Sequence, residues 1–264
     1  MFLVELAKAT RRLRTWVFAA GLAGLAVLPV AILATSTGGG GGPPFFELIR
    51  RNGLFAGLTA LGLILPFFLP LGASLLSGEA IAGEASNGTL RYLLARPVGR
   101  IRLVLAKYAS VMTELAAAIG WVILVGLIAG GLAFGFGPLP TLSGSTLGEW
   151  EALLRIAGAG LYVFCGMAGL AAVGVFLSTI TDSAPGAAVA TMGLAIASQI
   201  LDSLPALRAF HPYLISHGWL AFVDLFRSPV EWSAMSRGLI LDATYAAVFL
   251  GAALAVFRRK DVVS

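Results

Sequence analysis

Six apolar stretches of 18 to 25 residues dominate the chain: 16–34, 54–76, 115–134, 156–180, 184–201 and 239–257. Five carry no charge and the sixth carries only Asp242. About 20 apolar residues match a hydrocarbon core about 30 Å thick, and in lipid a lone segment must satisfy its own backbone hydrogen bonds, which a helix does. The expected fold is an all-α polytopic membrane protein with six transmembrane helices in a single transmembrane domain, 1–264. The third helix is expected to begin ahead of its apolar stretch and to run over 103–134. Stretch 16–34 exceeds the about 7 to 15 residues of a signal-peptide core and no A-x-A site follows it, so it reads as a retained anchor.

Composition agrees with lipid as the solvent. Charged residues make up 12% of the 264, against about 25% in soluble domains. Mean hydropathy is +0.92. These values exclude a soluble enzyme, a disordered chain and a nucleic-acid-binding module. The lone Cys165 excludes an intrachain disulfide and a cysteine-built zinc site, and reads as a small packed hydrophobe.

Six crossings put both termini on one side. Twelve of the 18 lysines and arginines fall on the face of the termini: Lys8, Arg11, Arg12, Arg14, Arg91, Arg96, Arg100, Arg102, Lys107, Arg258, Arg259 and Lys260. Six fall on the other: Arg50, Arg51, Arg155, Arg208, Arg227 and Arg237. Retention of positive loops places both termini in the cytoplasm. The N-terminal 2–14 sets Phe2, Leu6, Ala9 and Leu13 at helical spacing, which suits a helix in the headgroup plane.

No segment between crossings is long enough for a soluble catalytic domain. The three lysines precede Ala9, Tyr108 and Asp261, so no GxxxxGK[ST] phosphate loop exists. No HExxH, GxSG or GxGD string supports a membrane protease, and the chain is expected not to be an enzyme. Pro66 and Pro70 each remove an amide from the second crossing and predict a kink. Gly126/Gly130 and Gly131/Gly135 are spaced to let a second helix approach the third crossing.

Glu114 and Asp242 are the acids to weigh within or beside the crossings. Both are read as lying near interfaces, where they snorkel or pair; a proton relay through them is the alternative. His211 and His217 lack the i, i+4 spacing that sets two ligands on one helical face, so no metal is expected. Their segment, 202–238, carries Trp219, Phe222, Leu225 and Phe226 and reads as an extracytoplasmic loop with an interfacial or re-entrant helix.

The segment 79–97 reads as a cytoplasmic loop. Glu79 and Glu84 lead a short helix, Thr89 caps a second turn bearing Leu90, Leu93 and Leu94, and Pro97 pushes Arg96 out of helical geometry. A knob for a partner and a passive loop whose arginines hold topology are both open on these residues.

The string over 79–107 resembles the loop of ABC transporter permeases of the type-two, export-associated family. The match lies in Glu79, Glu84, Gly88, Thr89, Leu90, Leu93, Leu94, Arg96, Pro97, Arg100 and Lys107, and Phe257 to Asp261 resembles that family's end. It departs at Ala85, Ser86 and Asn87, where members often carry more charge. The resemblance implies a permease that forms the path while a separate cytoplasmic ATPase binds ATP and magnesium, so that this chain itself carries no cofactor. It implies that the loop is a coupling helix in a groove of that ATPase, with Leu90, Leu93 and Leu94 as the seat and Glu84, Arg91 and Arg96 as orienting groups. It further implies a second permease chain, identical or related, and a bacterial inner membrane. An apolar path suggests export of a lipophilic or amphiphilic cargo; the alternative is a proton- or ion-coupled carrier using Glu114 and Asp242.

Overall fold

The computed structural model describes residues 13–35, 44–86, 88 and 99–259. The expected interfacial helix at 2–14 lies outside them, except for its last residues, which open the first crossing. Helix α1 spans Leu13–Thr35 and a short α2 spans Pro44–Arg51. The second crossing is two helices, α3 (Leu54–Ile64) and α4 (Phe68–Ser86), bent by 56° at their junction. Helices α5 (Arg100–Phe134), α6 (Glu149–Ile180), α7 (Ala184–Asp202) and α8 (Ser233–Arg259) follow. Among the described residues five helices are long and apolar enough to cross a membrane, and the bent α3–α4 pair passes the same test when taken as one span. The chain is thus an all-α, multi-pass membrane protein.

The bend follows from the prolines. Pro66 lies in the break, and Pro70 lacks the amide that a straight helix would direct at the Pro66 carbonyl. Gln199 of α7 supplies the substitute, its Nε2 donating to Pro66 O at 2.8 Å.

Helix α6 is the central one, with its middle buried on most sides against α4, α5, α7 and α8. Small residues make this possible. A Cβ on Gly169 would lie 3.0 Å from the Asp242 carbonyl oxygen of α8, and one on Gly174 would strike the Ser77 hydroxyl of α4. Likewise α3 crosses α5 at glycine on both sides: a Cβ on Gly126 would sit 2.9 Å from Gly57 Cα, and Gly130 abuts the Gly53 backbone. The second expected pair behaves differently. Gly131 lies under the Phe136 ring, and Gly135, at φ 74°, ends α5. A left-handed terminal residue stops the helix there, so this pair serves no helix approach.

The bundle has two distinct ends. At one, Arg100 Nη1 donates to Arg258 O at 2.9 Å, and α4 meets α6 through Ser178. At the other, Gly53 N donates to Gly135 O at 2.9 Å. A two-stranded hairpin, β1 (Leu139–Pro140) with β2 (Thr146–Leu147), sits there, where Leu142 N donates to Phe226 O at 2.9 Å. Helix α5, at 35 residues, is about 52 Å long against a core of about 30 Å, so its polar first turns stand clear of the hydrocarbon.

Segment 202–238 is folded against protein. It holds short 3-10 turns, Pro205–Leu207 and His211–Tyr213, and an eight-residue 3-10 helix, Trp219–Phe226, in place of an α-helix. Trp219, Phe222, Leu225 and Phe226 are buried, and the helix packs on α6 and α8. Arg155 of α6 staples it, donating from Nη1 to Leu225 O at 2.6 Å and to Arg227 O at 2.8 Å.

Candidate functional site

Five helix ends meet where α4 stops and α5 begins. Ser77 and Gly78 mark a polar interruption in α4, but the helix continues through it. Glu79 and Glu84, expected to lead a separate short helix, belong instead to the last two turns of this membrane helix. Burial explains the continuity: Ala80, Ile81 and Ala82 are enclosed, and their amides need a ladder to bond to. At that point α6 enters the ladder. Ser178 Oγ accepts from Ile81 N at 2.9 Å and Ala82 N at 2.8 Å, and donates to Gly78 O at 2.8 Å. Gly78 itself lies flush with α7, since a Cβ there would be 2.7 Å from Ala188 N. The end of α4 is therefore wedged between α6 and α7 and hydrogen-bonded to the former.

Beyond the wedge, Glu84 Oε1 accepts from Lys107 Nζ of α5 at 2.8 Å. Both side chains are largely enclosed, 15% and 8% exposed, so the pair is shielded and fixes the two helices at one separation. Gly88 stands past the end of α4 with φ 67°, and its amide donates to Ala85 O at 3.0 Å. The chain re-enters at Arg100, whose guanidinium also reaches Phe257 O at 3.4 Å, capping α8. Of the residues expected to couple, Glu79, Glu84 and Gly88 are thus placed on this end. Thr89, Leu90, Arg91, Leu93, Leu94, Arg96 and Pro97 lie outside the described residues, as do Lys260 and Asp261.

The remaining candidates fall elsewhere. Glu114 accepts a 3.5 Å hydrogen bond from Ser110, one turn earlier on α5. Asp242 departs from expectation: it is 2% exposed, enclosed by α6 at Gly166 and by Trp219, and does not snorkel. Among the described residues, Asp242 Oδ1 and Trp219 Nε1 have no hydrogen-bond partner. Cys165 is a half-buried free thiol. His211 and His217 meet Asp202 through the turns of their loop, with ring centroids 5.8 Å apart. Spacing along one helix, the ground for expecting no site, does not govern residues brought together by turns.

Ser178, Gln199 and Asp202 escaped sequence reasoning. A proline four residues after another signals a carbonyl without its amide; nothing local signals the donor. Comparison with curated proteins finds no match. A sequence model described as ABC-2 family transporter protein matches residues 4–262, nearly the whole chain and all six crossings. With this match over nearly the whole chain and its apolar helices, the chain belongs to the ABC-2 family of transporter proteins.

Proposed function

We propose that this chain is the membrane-spanning subunit of an ATP-driven exporter, paired with a second permease and worked by a separate cytoplasmic ATPase that binds ATP and magnesium. The ATPase seats on the part of 79–97 that follows α4, with Leu90, Leu93 and Leu94 as the apolar ridge and Arg91 and Arg96 orienting it, while Glu84 ties the segment's base to Lys107. The cargo is lipophilic or amphiphilic, and the membrane is the bacterial inner membrane with both termini cytoplasmic.

One observation carries the reading. The segment leaves and re-enters the bundle through a clamped end, Glu84 to Lys107 and Arg100 to α8, with Ser178 joining α4 to α6. A push on such a segment is delivered to several helices at once, which is what a bundle shifting between inward-open and outward-open states requires.

Leu93→Asp is the test. It is expected to insert normally, to lose the ATPase subunit on purification in detergent, and to abolish ATP-driven transport by the reconstituted complex. Retention of both the subunit and transport overturns the coupling role. A carrier driven by protons through Glu114 and Asp242 draws support from the burial of Asp242. It requires transport by vesicles holding this chain alone, so the same reconstitution divides the two readings.

A further inference from the structure

Three side chains converge at the end of the bundle away from Ser86 and Arg100. The orientation follows from α7, which packs Ala188 on Gly78 and Gln199 on Pro66 and so runs antiparallel to α4. Its last residue is Asp202. His217 Nδ1 lies 2.6 Å from Asp202 Oδ1, and His211 Nδ1 lies 3.7 Å from the same oxygen. One ligand atom from each of the three lies within 4.8 Å of the others.

The hydrogen bonding around them selects a tautomer. His211 Nε2 is 3.2 Å from Leu204 O, and a carbonyl only accepts, so Nε2 carries the hydrogen. In the neutral ring Nδ1 is then a bare lone pair turned toward a carboxylate. The same carboxylate oxygen holds a 2.6 Å hydrogen bond with His217 Nδ1, so a proton, or a cation in its place, links both rings to Asp202. An imidazole anchored through one nitrogen to a backbone carbonyl, with the other free, is the arrangement metal-ligating histidines adopt. The supports are rigid. Tyr245 OH of α8 donates to Tyr213 O at 3.0 Å, holding the turn that bears His211. Ser216 N donates to Ser198 Oγ of α7 at 3.1 Å, holding the turn that bears His217. The His217 side chain is about half exposed, so an ion can enter from solvent.

We propose that Asp202, His211 and His217 bind a divalent first-row transition ion of the zinc class through two imidazoles and a carboxylate. Displacements of about an ångström bring the three atoms to the spacing set by bonds of about 2.0 to 2.2 Å, and a fourth position stays open to water. The ion would clasp the loop to the end of α7. This site is independent of the transport reading.

The test uses the full chain in detergent, purified with a tag free of histidine, stripped with chelator and titrated with zinc chloride. One zinc per chain is expected, with affinity lowered roughly tenfold or more by His217→Ala and binding lost in the His211→Ala, His217→Ala double variant. Equal affinity in wild type and double variant, or no zinc bound by wild type, overturns the proposal. Should the double variant misfold on gel filtration, zinc-edge X-ray absorption of the wild type decides. Scattering from two imidazoles supports the site, and its absence sinks it.

Discussion

Pro70 and Gln199 act as one unit though they sit on different helices. The proline withholds an amide from the Pro66 carbonyl, and the glutamine donates in its stead at 2.8 Å. An orphaned carbonyl in an apolar setting is costly, yet side-chain hydrogen bonds in membranes average well under 2 kcal/mol because the unfolded reference also finds partners. Gln199→Leu should therefore destabilise the protein by about 1 kcal/mol. In a Pro70→Ala background, where the helix regains its own amide, the same change should cost close to nothing. Unfolding in detergent, run as a double-mutant cycle, measures the coupling; equal costs in both backgrounds would show that Gln199 does not substitute for the amide Pro70 lacks. Ser178 belongs with these residues, a hydroxyl occupying backbone hydrogen-bond positions of another helix.

At the level of elements, contact is governed by what side chains leave out. Lipid-facing helices gain no hydrophobic energy by touching one another, so close packing has to supply the attraction. Gly126 and Gly130 press on Gly57 and Gly53 backbone, which cannot yield, whereas Gly131 meets only the far end of the exposed Phe136 ring. Gly130→Ala should cost about 2 to 3 kcal/mol by overpacking. Gly131→Ala should cost under about 0.5 kcal/mol, because a surface ring can swing away. Comparing the two in thermal unfolding tests whether the α3–α5 crossing depends on the first pair alone. Similar losses would contradict that distinction.

For the whole molecule, the two ends are built differently. Described cationic residues of the terminus-bearing face, among them Arg100, Lys107 and Arg258, gather where α4, α5, α6 and α8 are joined. Arg155 and Arg227 sit with the hairpin and the Trp219–Phe226 helix, where backbone carbonyls and acids occupy them. In the proposed orientation, which rests on charge retention, the first end faces the cytoplasm. In a Cys165→Ser background, Ser86→Cys should react with a membrane-impermeant maleimide only after cells are opened. Ser143→Cys, exposed at the other end, should react in intact cells. The opposite pattern would place 79–97 outside and remove the ATPase from its reach.

The apolar helices and the kink were legible because the hydrocarbon slab imposes length and apolarity on contiguous residues, and proline acts on its own backbone. Glu79 and Glu84 were legible as charged residues, yet their place in the last turns of α4 was not. A helix continues past Ser77 and Gly78 because α6, a hundred residues on, hydrogen-bonds to that backbone. The same holds for Asp242, buried beside Gly166 of α6, and for two histidines that turns carry onto Asp202. Sequence alone set how often the chain crosses the bilayer and which loops carry positive charge, since those depend on local transfer energies. Tertiary structure decided which polar groups meet, because such contacts join residues that only packing makes neighbours.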